Sequence, residues 1–234
     1  VDAALSDLNT KVDSLNSYKT WQQITAKVAD SNIMSALTTS ASADQGKYDI
    51  VVNRLATAHR VASDAQTSKS DPLGAGFTGD FTLGGQLITV DGTTDSLEDI
   101  RDKINTAAIS MADEDKVKAT IIDTTLVLER VNTGDTDISA VDGTNNVLEQ
   151  LGVLTGAGAF KNEKQTSEDL SVTINGVDVT RSDNSVDDVI EGVNMTFEDE
   201  GSTTMTVDTD YDSITSLIED FVDTYNSAME LIEK

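Results

Sequence analysis

Cysteine is absent from the 234 residues, which removes disulfides, thiolate zinc sites and thiol nucleophiles together. Histidine occurs once, at His59, so a multi-histidine metal centre is excluded and a serine–histidine triad would have to be built on that one imidazole. Its surroundings, NRLATAHRVAS, contain no serine elbow, and His59 reads as a surface or packing residue. Aromatic residues make up only 4 % of the chain. No carboxylate pair stands beside an aromatic platform, so a glycoside-cleaving pair drawn from 42 acidic residues carries no weight. Basic residues are scarce, 16 against those 42, and the formal net charge of -26 repels phosphate backbones and anionic headgroups. Nucleic acid is therefore excluded as a partner. No run approaches the roughly 18 to 20 apolar residues of a membrane span, which argues against membrane insertion. There is no initiator methionine and no basic-then-apolar leader. Both ends sit in helical pattern without caps, which suggests a fragment of something longer.

What is present begins with two heptad patterns at the two ends. VDAALSDLNTKVDSLNSYKTWQQITAKVAD places Leu5, Leu8, Val12 and Leu15 at three-four-three spacing, the seam of a coiled coil. Tyr18, Trp21, Ile24 and Val28 continue the apolar face in a drifting phase. Trp21 is expected on that seam, as core or subunit interface. SITSLIEDFVDTYNSAMELIEK places Ile214, Ile218, Phe221, Tyr225, Ala228 and Ile232 at four-three spacing. Isolated helices of this length depend on burying their apolar stripe, so the two are expected to pack on each other, antiparallel, as a stalk on the order of 40 Å long. Residues 1–31 and 212–234 are assigned to it.

Between the helices the period changes to two. IMSALTTSAS and KYDIVVNRLA read as strands, the second with Tyr48, Ile50 and Val52 on one face. TSKSDPLGAGFTGD, with the only proline, and LTGAGAFKNEKQTSED read as linkers. Between them come strand, strand, helix, strand, strand, helix: DFTLGG, QLITV, SLEDIRDKIN, KVKATII, TLVLERV and NNVLEQLGV. An internal similarity relates LGGQLITVDGTTDSLEDIRDKIN to INGVDVTRSDNSVDDVIEGVN. In each, a glycine turn (Gly85, Gly176) joins two strands. A serine (Ser96, Ser185) with an aspartate three residues on (Asp99, Asp188) then predicts a capping box and a helix. Leu97, Ile100 and Ile104, and Val186, Val189 and Val193, would face a sheet. The second copy must pair with strands from before the first linker, because alone it has too poor a core. The expected fold class is α+β: the helical stalk carries two β-rich head domains, a discontinuous one over 32–70 and 165–211 and an α+β one over 76–160 inserted in it.

DTDYDS raises the question of calcium, with Asp208, Asp210 and Asp212 alternating and Glu219 eleven residues after the first. A calcium loop needs a glycine at its sixth position, which here is Ser213. The heptad seam starting at Ile214 would carry Glu219 away on a helix, so Asp210 or Asp212 is expected to cap that helix. Asp135, Asp137 and Asp142, in NTGDTDISAVDG, read as a solvated loop. No metal, cofactor or catalytic constellation is expected.

GKYDIVVNRLATAH (Tyr48, Ile50, Val52, Leu55), SLEDIRDKIN (Ser96, Asp99), TLVLERVNTG followed by VLEQLGV, and VTINGVDVTRSDNSVDDVIEGVNMTF (Gly176, Ser185, Asp188) resemble the flagellar filament capping family, hook-associated protein 2, in that family's order over roughly residues 30–232. FVDTYNSAMELI fits as the returning helix. The resemblance implies a non-enzymatic assembly protein. It would self-associate as a ring at the extracellular tip of a bacterial flagellum, beneath which flagellin subunits fold and insert. Export would run through the flagellum's own channel. The family's terminal segments, which bind the filament and the export chaperone, lie outside this sequence. Adhesion to host surfaces stays open, as do two other readings: a hook–filament junction or flagellin-like protein, and a calcium-dependent surface adhesin.

Overall fold

The computed structural model describes residues 2–232; the outermost positions of the expected stalk, Val1, Glu233 and Lys234, lie outside them. Among the described residues the chain runs as helix α1 (Asp2–Asn16), a 3-10 turn (Tyr18–Gln22), strands β1 (Ile24–Val28), β2 (Met34–Thr38), β3 (Gly46–Arg54) and β4 (Arg60–Ala62), a second 3-10 turn (Ala75–Phe77), β5 (Gly79–Leu83), β6 (Gln86–Val90) and α2 (Leu97–Ala108). Then follow β7 (Val117–Ile122), β8 (Thr125–Arg130), β9 (Ala140–Asp142), α3 (Val147–Leu151), β10 (Glu163–Gln165), β11 (Leu170–Ile174), β12 (Val177–Arg181), β13 (Ser185–Ile190), β14 (Val193–Phe197), β15 (Gly201–Thr209) and α4 (Tyr211–Ile232). It packs as two compact units. The first holds the chain up to Val52, residues 172–178 and the chain from Ser185 onward; the second holds 53–171 and 179–184.

In the first unit β15 is the organising strand. It pairs antiparallel with β1 from Ile24↔Thr209 to Val28↔Met205, and with β3 from Gly201↔Val52 to Val207↔Gly46. The sheet order is β1-β15-β3-β11-β12, and a three-stranded sheet, β13-β14-β2, stands beside it in the chain's topology. Alternate residues bury on one face, as period two requires: Thr203, Met205 and Val207 on β15, and Ile50 and Val52 on β3. The second unit builds its core from β10-β4-β8-β7, β6-β5-β9 and the two short helices. Phe81, Leu97, Ile100, Ile104, Leu126 and Leu148 are fully enclosed there, each worth about 1.5–3 kcal/mol of apolar transfer. Leu97, Ile100 and Ile104 form the expected stripe of α2, and its capping box is complete: Asp99 N–H donates to Ser96 Oγ, and Ser96 N–H to the Asp99 carboxylate at 2.9 Å.

Three expectations change. The first helix ends at Asn16, and Ile24 and Val28 lie on a strand. The run from Thr20 to Val28 is rich in β-branched residues, and a five-residue ladder to β15 outweighs a drifting helical phase. Trp21 therefore leaves the helical seam and is 46 % exposed on the 3-10 turn. Secondly, the internal repeat holds in its hairpins and fails in its helix. Gly84 and Gly85 (φ 52° and 76°) and Asn175 and Gly176 (φ 49° and 81°) make matching turns, the positive pair that a tight hairpin demands. Ser185 and Asp188, however, belong to β13, which pairs with β14 through Val186↔Met195 and Ile190↔Val193. Val186, Val189 and Ile190 favour a strand, and Gly192, at φ 73°, turns the chain at once into β14. Thirdly, residues 53–70, 165–171 and 179–184, expected with the discontinuous head domain, pack in the second unit.

Candidate functional site

The acid-rich junction at the start of α4 is built from local partners. Asp210 caps the helix, its carboxylate accepting from Ser213 N–H at 3.1 Å and from the Ser213 hydroxyl at 2.7 Å. Those bonds, the hydroxyl's first, hold the Asp210 carboxyl below its ordinary range. Asp212 pairs with Lys27 of β1 at 2.5 Å, and its hydrogen bond raises the Lys27 ammonium. Asp208 accepts from Thr209 N–H at 2.7 Å. Glu219 stands eight residues into α4, about 12 Å of helical rise from its first residue. The four carboxylates do not converge, so the geometry opposes a calcium loop.

In the first unit α1 lies against α4, and Lys11 Nζ reaches Asp220 at 3.0 Å. Helix α4 shields Ile214, Leu217, Phe221, Thr224 and Ala228, spaced three and four apart. Ile218 and Tyr225, expected on the seam, are 42 % and 46 % exposed. With Val222, Met229 and Ile232 they form a second heptad stripe one position around the helix. An apolar arc this wide fits two alternative seams by spacing alone, and the neighbour decides between them. On α1, Leu8 and Leu15 are half-buried while Leu5 and Val12 are exposed. Trp21 has a different job from the expected one. Its indole Nε1–H donates to Leu15 O at 2.8 Å and the Thr20 hydroxyl to Ser14 O at 2.6 Å, satisfying carbonyls that the end of α1 leaves without helical partners. Of the remaining motif residues, Ile50 and Val52 are core, Leu55 is half-buried, and the Tyr48 hydroxyl donates to Asp44 O at 2.9 Å.

In the second unit the loop aspartates also act locally. Asp142 accepts from the N–H groups of Leu148 and Glu149 at 2.6 and 2.9 Å, capping α3. Asp135 N–H donates to Asp169 at 2.8 Å. Asp137 converges with Glu163 on His59, the one metal-type donor cluster among the described residues. His59 is fully buried. Its Nε2 lies 3.1 Å from Glu163 Oε1 and 3.8 Å from Asp137 Oδ1, and its ring meets Phe160 edge-on at 4.9 Å. Its Nδ1 accepts from Ile138 N–H at 2.9 Å. Because a backbone N–H can only donate, the ring proton sits on Nε2. A ligating histidine needs its lone pair toward the metal and donates through its other nitrogen; this ring is protonated the opposite way round, and the residues do not fit a metal.

Two family models match the chain: the flagellar hook-associated protein 2 N-terminus over residues 1–59 and the flagellar hook-associated protein 2 C-terminus over residues 167–234, together more than half of its length. The B-type flagellar hook-associated protein 2 of Pseudomonas aeruginosa is 32 % identical over 262 aligned positions, covering 99 % of this chain and 53 % of that protein. The flagellar hook-associated protein 2 of Aquifex aeolicus is 25 % identical, with 98 % and 53 % covered. The chain thus spans about half the length of these relatives. Among solved structures, the FliD (HAP2) of Pseudomonas aeruginosa superposes with a TM-score of 0.62 at 28 % identity, covering 86 % of this chain and 95 % of that one. The D1-D2-D3 domains of the flagellar cap protein FliD of Escherichia coli share the fold, with a TM-score of 0.67 at 22 % identity over 97 % of this chain and 79 % of that one. Matched at both ends by models of one family and superposable on its solved members, the chain belongs to the flagellar hook-associated protein 2 family.

Proposed function

We propose that the chain is the stalk-and-head portion of a flagellar filament cap, a structural protein that acts by geometry and promotes flagellin polymerisation at the extracellular filament tip. The observation that carries this reading is the pair of family matches at the two ends, the same segments that supply the two long helices. α1 and α4 run in opposite directions as a short stalk. In support, Asp210 N–H donates to Gln23 O at 2.8 Å at the base of the pair, and Lys11 meets Asp220 farther along both helices. The stalk carries β-rich domains, one inserted in the other. Copies associate as a ring, and flagellin adds beneath it. The export chaperone binds segments outside this sequence.

The test is supply of the full-length protein to a strain lacking its cap: flagellin should stop leaking into the medium and filaments should lengthen. Continued leakage with a stably exported protein overturns the reading and favours a hook–filament junction or flagellin-like role. The adhesin alternative requires calcium, and the separated carboxylates at 208–219 stand against it.

A further inference from the structure

We infer that His59 is a proton-operated latch: neutral, with its proton on Nε2, it clamps Ile138 and the segment before β9 onto the second unit, and a second proton releases them. Any further proton must go to Nδ1, the atom that already accepts Ile138 N–H at 2.9 Å. Two donors would then face each other between residues that are both buried, and the contact must open. What it closes over is buried: Ile138 is 4 % exposed. The groups facing the ring are Glu163 on β10 and Asp137 on the clamped segment, both at Nε2, with Phe160 against its edge. Arg60, the next residue, is turned to Glu129 of β8, and Arg130 approaches only through its N–H, which donates to His59 O at 3.0 Å.

The Nδ1 contact makes the arrival of a second proton disruptive, because that atom's lone pair is already engaged by Ile138 N–H. Ser167 Oγ donates to Asp137 at 2.6 Å and the Arg130 guanidinium to Thr136 O at 2.6 Å. These tethers confine the opening to the neighbourhood of Ile138. The device is independent of the cap reading, since every residue in it lies in the second unit.

With a single histidine in the chain, nitrogen NMR of the imidazole reads the state without ambiguity. Near pH 8, Nδ1 should resonate as a bare, pyridine-type nitrogen and Nε2 as an N–H. On acidification from pH 8 to about pH 5, protection of the Ile138 amide against exchange should fall roughly tenfold, as for one lost hydrogen bond. His59→Asn, whose Oδ1 takes the acceptor's place and does not titrate, should show no such fall. An N–H signal from Nδ1 near pH 8, or unchanged Ile138 protection down to about pH 5, overturns the latch. So does an equal fall in H59N, which would move the effect to the carboxylates.

Discussion

Asp210 shows how a side chain that looks like a ligand can be a cap. Replacing it with alanine should lower stability by about 1 kcal/mol, the usual worth of an N-cap, measured by denaturant unfolding. The same bonds give a pH dependence. Because folding lowers the Asp210 carboxyl, its contribution is fully present above the unfolded carboxylate range, near 3.9. It is lost as pH falls through the folded value. The D210A variant should therefore lose less stability than the native chain between about pH 5 and pH 2. Gly152 marks a second residue-scale constraint. It ends α3 at φ 77°, and a Cβ there would lie 2.2 Å from the Asp64 carboxylate, which Lys161, and secondarily Asn162, hold below its ordinary range. Gly152→Ala should lower the thermal midpoint, through both the strained backbone and the displaced ion pair.

At the scale of elements, the two α4 stripes make opposite forecasts. Phe221→Asp puts a charge into the face shielded by α1. It should cost roughly 2 kcal/mol or more of local packing, seen as lost helical circular dichroism; an unaltered spectrum would sink the pairing of α1 with α4. Ile218→Ser and Tyr225→Ser, on the open stripe, should stay within about 0.5 kcal/mol of the native chain. The sequence made β5 to β8 of the second unit and the box at Ser96–Asp99 legible, because period two, glycine turns and capping are local signals; the three-residue strands β4, β9 and β10 were not, two of them lying in stretches that read as loop and linker. The α1 boundary and the β13 strand were not legible, since both were decided by partners far along the chain: β15 for residues 24–28, and β14 for Ser185–Ile190. A short apolar segment with β-branched residues can satisfy either period, and its neighbour chooses. Trp21 departs from the expected seam for the same reason, lying on the 3-10 turn that leads into β1. The nearby signal, polar Thr20 and Gln22 around a lone indole just past the last helical turn, suits a terminal carbonyl cap better than a seam. The convergence of Asp137 and Glu163 on His59 joins three well-separated stretches of chain, His59 and Glu163 being 104 positions apart, a spacing without any local pattern.

At the scale of the whole molecule, the charge of -26 and the dispersed carboxylates lead to different forecasts. Salt should stabilise the chain by screening self-repulsion. Calcium at the same ionic strength should add nothing further to the thermal midpoint, and a chelator should remove nothing. A calcium-specific rise reversed by chelation would revive the adhesin, since a ligand held only by the folded state must raise the midpoint.

The ladder between β1 and β15 joins the strand that leaves the first helix to the strand that enters the last, over five consecutive residue pairs. A twist or thrust delivered along either helix is thereby handed to two hydrogen-bonded neighbours at once. A thrust along one helix axis would load the five pairs in shear, several bonds together, whereas a force spreading the two helices would open them in turn from Ile24↔Thr209.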